Sequence, residues 1–494
     1  MAGLFTAEEI IDKIGGSVDM RFGSPAMAQT PAPVSTDTRE LSGGEIFFAL
    51  IGENHDAHDH LEEAAAKGAA VLVVSDGSRV KPGMTVGTPG MTVGTPGGPV
   101  VIVVEDTLRA YQDLAAYYRS KVDPYVIAVT GSVGKTTLKD MIACIVKDDF
   151  HTVATQGNFN NQIGLPKTIL GMSADTEALV LEMGMGGPGE IGRLAQIAGP
   201  DVAAITNIGI SHRECFDSDD GIMLEKLAAA SQMGEGGRLV IDRENHWPLT
   251  QRARADSKAR GYRLIEVAPK GRTGGDADYY YGPVRFDTES AAASFEIESG
   301  EMAERFLVPV PGDYAAATSA LACAAVARLG IDLAGAAAAL KNLARTPHRL
   351  QTIRKDGILV IDDTYNASPD SCRSGLIFLK SAEASRRIAV LADMNELGPD
   401  SEALHRSLGS EIGADLSAGR IDSLVCFGEK ARAIAAGAGE IAGTDHIRVC
   451  PDREEMIAAL LAGKTPGDAY LVKGSHSMHM EIVANALIEQ GTEA

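Results

Sequence analysis

The stretch from Val126 to Ala143, VIAVTGSVGKTTLKDMIA, restricts the fold of this chain more than any other. Its apolar, β-branched start predicts a strand, the two glycines predict a tight turn, and the residues from Lys135 onward predict a helix. A strand feeding a helix through a glycine turn is half of a βαβ unit, which implies a mostly parallel sheet. The turn also carries chemistry. Backbone N–H groups in such a loop, together with the helix N-terminus, point at phosphate oxygens. The lysine adds a point charge, and the hydroxyl after it can ligate Mg²⁺. Gly131, Ser132, Val133, Gly134, Lys135, Thr136 and Thr137 are therefore candidate nucleotide-binding residues, with Thr136 a candidate metal ligand. The common form of this loop has a further glycine where this chain has Val129. That points away from GTPase loops, while Gly131 still falls inside the turn. The competing reading is a plain strand-to-helix turn that happens to contain Gly-Lys-Thr.

The same alternation runs along the whole chain. EIFFAL, AVLVVSD and PVVIVVED read as strands, with HDHLEEAAAKG and TLRAYQDLAAYYRSK as helices. Val122-Asp123-Pro124 reads as a linker. ALVLEMG and VAAITNIGI continue a second domain. RIAVLADM, DSLVCFG, HIRVC and AYLVKGS alternate with helices in a third, doubly wound pattern. At about 150 residues per domain, 494 residues suggest three. The expected fold is α/β, with three consecutive domains at 1–122, 123–345 and 346–494. The central one is a P-loop, parallel-sheet ATPase domain and the last is Rossmann-like. Residues 82–98 hold a seven-residue unit given twice, whose Pro and Gly content predicts an exposed loop.

Composition excludes some classes. A formal net charge of −22 leaves no basic stripe to displace counterions, so a nucleic-acid partner is not expected. The N-terminus lacks a basic region followed by an apolar run, and no stretch approaches ~20 strongly apolar residues. Neither a signal peptide nor membrane insertion is expected. YAAATSALACAAVARLG, the longest apolar run, reads as a buried helix. Six scattered cysteines without a Cys-x-x-Cys pair fit a reducing, cytoplasmic setting and provide no zinc framework.

Mg²⁺ prefers oxygen ligands, and Glu182 closes an apolar strand where a ligand-facing loop would start. A solvated strand-end glutamate is the bland alternative. His212 also follows a strand end but reads equally well as structural. Lys226, taken alone, reads as a surface helix lysine.

TGSVGKTT, GNFNNQIGLPKTIL, LEMG, TNIGISH, DDTYNASPDS, LADMNELG and LVKGSHSMHME together resemble the Mur ligase family, in the order and spacing of its D-alanyl-D-alanine-adding members. STDTRELSGGEIFFALIGENHDAHDHLEEAAAKGAAVLVV is similar to the uridine-nucleotide domain of the same members, so the resemblance covers nearly the whole chain. It implies an ATP-dependent ligase of peptidoglycan synthesis with Mg²⁺. The implied substrates are UDP-N-acetylmuramoyl-tripeptide and D-alanyl-D-alanine, joined through an acyl phosphate by a monomer. It also implies roles for particular residues. Lys135 holds the β/γ-phosphates, and Thr136, Glu182 and His212 serve the metals. Lys226 is the lysine that the family carbamylates. Asn160 and Asn161 lie beside the triphosphate, and Arg349 and Asp363 reach the nucleotide. Asn366 faces the dipeptide, and Thr36, Thr38 and Arg39 fall in the uridine-nucleotide loop.

The chain departs from the family pattern at three places. GDYAAATSA replaces a segment with two asparagines by Ala315 and Thr318, which bears on adenine binding. The family's Asp-Gly-His is Asp56-Ala57-His58, and an expected arginine is His476. Another Mur-type ligase, a folylpolyglutamate synthase-like enzyme, or a non-catalytic P-loop protein are the alternatives. No Asp-Asn-Pro-Arg stretch of the diaminopimelate-adding type is present.

Overall fold

In the computed structural model the described residues are 7–18, 33–52, 55–75, 99–209, 215–216, 218–244, 246–271, 276–287, 292–310, 312 and 314–489. The doubled loop and His212 lie outside them. The described chain falls into two compact units. The first draws on 1–128, 149–183 and 192–201, and the second on 129–148, 184–191 and 202–494.

The first unit holds α1 (Ala7–Ile14), β1 (Ser17–Val18), β2 (Val34–Ser35), β3 (Ile46–Phe48), α2 (Leu61–Ala66), β4 (Val71–Val74), β5 (Val100–Val103) and α3 (Thr107–Val122). Its sheet runs β1-β5-β4-β3-β2, parallel except for β1. Every residue of β4 is buried, as its unbroken apolar run requires of a strand covered on both faces. Asp106 caps α3 by accepting from the N–H groups of Leu108 and Arg109. The helix ends at Asp123, whose φ of 55° closes its last turn just before Pro124. The sequence-predicted linker is therefore a helix stop followed directly by β6 (Tyr125–Thr130). β6 lies beside β8 (Ala178–Glu182), and β8 pairs in parallel with β7 (Thr152–Ala154). α5 (Gly164–Leu170) also belongs to this unit, and Tyr118 Oη on α3 donates to Met172 O just after it at 2.9 Å.

The last two residues of β6 belong to the second unit, with α4 (Lys135–Val146). α6 (Glu190–Ala198) starts there. β9 (Val202–Ile205), β10 (Arg238–Asp242), β11 (Arg263–Pro269) and β12 (Tyr279–Tyr281) follow in a parallel array, with α7 (Asp219–Leu227) and α8 (Trp247–Arg260) between them. The array continues in antiparallel strands. β14 (Ala292–Ser299) pairs with β12, β13 (Arg285–Asp287) and β15 (Met302–Val308). The expectation of a mostly parallel sheet thus needs this addition. α9 (Tyr314–Val326) is the predicted buried helix, and Ala315 and Thr318 are buried in it. α10 (Leu333–Leu340) follows.

The C-terminal sheet of the same unit comprises β16 (Gln351–Lys355), β17 (Ile358–Asp362), β18 (Arg386–Ala392), β19 (Ser423–Phe427), β20 (Ile447–Cys450) and β21 (Asp468–Lys473). Its order is β16-β17-β21-β18-β19-β20, parallel apart from the β16–β17 hairpin. Alternate residues of one strand feed opposite cores. Leu359 and Ile361 pack in one core, Ile358 and Val360 in the other. α11 (Pro369–Ser381), α12 (Ser401–Ser417) and α13 (Ala431–Ala442) cover one face, and α14 (Arg453–Gly463) and α15 (Glu481–Glu489) the other. This is the doubly wound arrangement expected. Among the described residues, no helix is long and apolar enough to cross a membrane.

Candidate active site

The phosphate loop leaves β6 at Thr130 and enters α4 at Lys135. Val129 is fully buried inside the strand, so a glycine is not needed there. The turn begins at Gly131, whose φ of 143° is open only to glycine, and a Cβ there would overlap Thr206 Oγ1. Gly134, at φ 84°, forms the N-cap of α4. The segment after β9 braces the loop. Thr206 Oγ1 donates to Val133 O at 2.6 Å. Asn207 Oδ1 accepts from the N–H groups of Ser132 (3.1 Å) and Val133 (2.9 Å). Ser132 Oγ accepts from Gly209 N at 2.8 Å and donates to Gly209 O at 3.1 Å. Lys135 Nζ donates to Gly131 O at 2.9 Å, which folds it over the loop. Thr136 is buried in the first turn of α4, with Thr137 half-buried beside it.

Lys226 corrects the surface reading. It is 1% exposed, near the end of α7, with Nζ 3.9 Å from Met185 Sδ. Burial holds its amine well below the usual lysine range. The charge of Lys135 pushes the same way, and Glu225 opposes both. Glu225 is itself engaged by the N–H groups of Gly189 (2.8 Å) and Ile191 (2.7 Å). The result is a desolvated amine within electrostatic reach of the phosphate-loop lysine.

In the C-terminal part of this unit, Asp363 accepts from Lys473 Nζ and from Leu350 N. Lys473 also donates to Asn366 O at 2.9 Å. Burial raises the Asp363 carboxyl above its usual range, against the pull of Lys473. The Arg349 guanidinium lies 4.0 Å from the centre of the Tyr365 ring. His348 (φ 60°) and Leu350 (φ 47°), on either side of Arg349, both take left-handed backbone, so strain flanks Arg349 on both sides. A narrow cleft is lined by Thr137, Asp140, Tyr314, Thr346 and Arg349 among others. Asn366 is exposed and turns its side-chain oxygen to Ala367 N. His476 is exposed against Tyr365, ring centres 5.8 Å apart.

The first unit holds the remaining candidates. Glu182 ends β8, 3% exposed, and its Oε1 accepts from Asn160 Nδ2 at 2.8 Å. Asn161 does something different from its neighbour: its Oδ1 accepts from Ile163 N and Gly164 N at the start of α5. In the candidate uridine loop, Thr38 is buried and Thr36 half-buried. Lys67 Nζ donates to Thr38 O at 2.9 Å. Arg39 is exposed and grips Asp37, which holds the Asp37 carboxyl down to about 2. His58 is fixed between Asp56 (2.7 Å) and Ser75 N (3.0 Å) and serves this fold as a buried strut.

Sequence reasoning missed two residues, Asn207 and Lys473. Each sits at the C-terminal end of a parallel strand, the place where ligand-facing groups gather, and that position was the available signal. Among the described residues, no cluster of three or more His, Cys, Asp or Glu forms a metal-binding group.

Comparison with known proteins bears on the family. Residues 129–327 match the Mur ligase middle domain, and residues 348–476 match the Mur ligase, glutamate ligase domain. The UDP-N-acetylmuramoyl-tripeptide--D-alanyl-D-alanine ligase of Bacillus subtilis (strain 168) is 35% identical over 98% of both chains. MurF from Acinetobacter baumannii superposes with a TM-score of 0.82 at 26% identity, covering 98% of this chain and 99% of that one. MurF from Thermotoga maritima, solved in complex with ADP, gives 0.77 at 25% identity, over 93% and 97%. The α/β, three-domain architecture expected from the sequence is that of these ligases. The chain belongs to the Mur ligase family, and within it to the MurF branch.

Proposed function

We propose that this enzyme joins D-alanyl-D-alanine to UDP-N-acetylmuramoyl-tripeptide, using ATP, in the assembly of peptidoglycan precursors. Residues 1–122 take the uridine-nucleotide substrate, 123–345 the ATP, and 346–494 the dipeptide. The protein works as a cytoplasmic monomer. The observation that carries the reading is the phosphate loop, braced by Thr206 and Asn207, with the buried Lys226 within electrostatic reach of Lys135.

A carboxylate is inert to amines. It first accepts the γ-phosphoryl group of ATP to become an acyl phosphate. The dipeptide amine then attacks that carbon, a tetrahedral intermediate forms, and phosphate leaves. The protein's part is positioning and charge stabilisation. Loop N–H groups and Lys135 hold the β- and γ-phosphates, and Arg349 and Asp363 hold the nucleoside end. Asn366 orients the dipeptide, and Thr36, Thr38 and Arg39 receive the uridine nucleotide. Thr136, Glu182 and His212 are assigned to Mg²⁺. The hydroxyl and the carboxylate suit that hard cation, and Asn160 already orients the carboxylate. The metal would neutralise phosphate charge.

Lys226 acts as a carbamate. A neutral amine attacks CO₂ and the product loses a proton, and burial together with the charge of Lys135 favours that neutral form at Nζ. The test of the function is phosphate release with ATP and both peptide substrates, and with each omitted in turn. Release that needs all three supports the reading, and release independent of the dipeptide overturns it.

A further inference from the structure

Ser368 caps α11: its hydroxyl accepts from Ser371 N while Ser371 Oγ accepts from Ser368 N. This capping box satisfies the helix start without help from Asp370. The Asp370 carboxylate is aimed elsewhere. Its Oδ1 accepts from Arg373 Nη1 at 3.0 Å, and Arg373 is held in turn by Glu411 of α12 at 2.9 to 3.1 Å. The other oxygen lies against the main chain of Gly209. A Cβ on Gly209 would overlap Asp370 Oδ2, and the same point is 3.4 Å from Ser132 Cβ. Gly209 is the residue whose N–H and C=O both engage the Ser132 hydroxyl of the phosphate loop. The carboxylate, set by two helices of the C-terminal sheet, therefore packs beside the clasp that shapes the phosphate loop. Asn366 and Asp363 lie on the segment leading into the same helix.

We propose that Asp370 is a positioning residue through which the dipeptide-binding end of the C-terminal sheet and the phosphate loop stabilise each other, so that dipeptide and nucleotide bind with positive coupling. The proposal rests on the function proposed above. Coupling of this kind is reciprocal. Each ligand, by fixing its own side of the Asp370–Gly209 contact, favours the arrangement that the other needs.

The experiment compares the unmodified enzyme with Asp370→Ala, Asp370→Asn and Asp370→Glu. Phosphate release is measured over a grid of ATP and D-alanyl-D-alanine concentrations, and ADP binding is titrated without peptide substrates. In the unmodified enzyme the dipeptide KM should fall at least threefold between low and saturating ATP. In Asp370→Ala that dependence should vanish, while ADP affinity in the absence of peptides stays within threefold. Asp370→Asn keeps size and an acceptor, and should retain most of the coupling. Asp370→Glu has no room against Gly209 and should resemble the alanine variant. Unchanged coupling in Asp370→Ala, or ADP binding lost together with thermal stability, overturns the proposal. Failure of the unmodified enzyme to release phosphate would instead refute the substrate assignment. Amide exchange over residues 130–138 and 205–209, followed on the protein alone, then decides. Faster exchange there in Asp370→Ala supports the contact's role, and unchanged exchange refutes it.

Discussion

Gly131→Ala is the substitution whose effect the structure defines most closely. Two costs arise. First, alanine at a φ of 143° occupies backbone space that only glycine uses freely, a strain of ~1–3 kcal/mol. Second, the new Cβ would overlap Thr206 Oγ1 and stand 3.0 Å from Thr206 Cβ. The threonine must rotate away, which breaks its hydrogen bond to Val133 O, at about 1 kcal/mol. The sum is roughly 2–4 kcal/mol. The strain sits in a short turn rather than in a core, so the turn distorts before the domain unfolds. The cost should therefore appear as nucleotide affinity, an ADP dissociation constant raised about 30- to 700-fold at ~1.4 kcal/mol per tenfold. Calorimetric titration with ADP is the assay. Adding Thr206→Ala to Gly131→Ala removes the clash with the hydroxyl but not the strained φ, so it should recover only part of the loss. ADP affinity within threefold of the unmodified protein in Gly131→Ala would refute the account of the loop.

Lys226→Arg should abolish turnover because arginine cannot form a carbamate. Lys226→Ala should regain part of it when a short carboxylic acid is supplied, and full activity in either variant without that addition would contradict the role. The folded-state amine of Lys226 lies below its unfolded value, so the unfolded chain binds more protons between those two values. In protein freed of CO₂, where Lys226 carries its free amine, stability should rise with pH through that window, and Lys226→Met should lose this slope in denaturation followed from neutral to alkaline pH. Gly409→Ala would drive a Cβ into Ile434 O where α12 crosses α13, and should cost ~1–3 kcal/mol in urea unfolding of the C-terminal sheet, with no direct effect on ADP binding. Deleting one seven-residue unit from residues 84–97 should leave melting temperature and turnover nearly unchanged, because loop-closure entropy varies slowly with length.

Much of this architecture was legible because parallel strands are apolar on both faces and announce themselves as short unbroken runs. VLVV at 71–74 and ILVI at 358–361 are examples, and both are fully buried. The antiparallel strands after β12 were harder to see. Along β14 buried residues alternate with partly exposed ones, and the turn at Gly300 (φ 60°) joins it to β15. That period-2 pattern with a glycine turn was a usable hairpin signal. Lys226 stands four positions after the fully buried Ile222, so helical spacing placed it on the inward face. Its charge argued for the surface, and the fold overrode that argument. Asn161 shows a limit of motif reading. It is adjacent to Asn160 in a paired motif, yet one side chain orients Glu182 and the other holds the start of α5. Contacts such as Asp370 on Gly209 join residues 161 positions apart, and no local pattern encodes them.

The central claim is ATP-dependent amide ligation that runs through the phosphate loop. The direct measurement is phosphate release by the unmodified enzyme and by Lys135→Ala, with ATP, UDP-N-acetylmuramoyl-tripeptide and D-alanyl-D-alanine at saturation. Product is confirmed as the pentapeptide by mass. Loss of the lysine charge at the transferring phosphate should cost several kcal/mol, about 3–4 by analogy with removal of one transition-state donor, which is a rate lower by a factor of 10²–10³. Pentapeptide formed by the unmodified enzyme at the expense of ATP, and nearly absent with Lys135→Ala, is the predicted result. Near-normal turnover in Lys135→Ala, or phosphate release without pentapeptide in the unmodified enzyme, would contradict it.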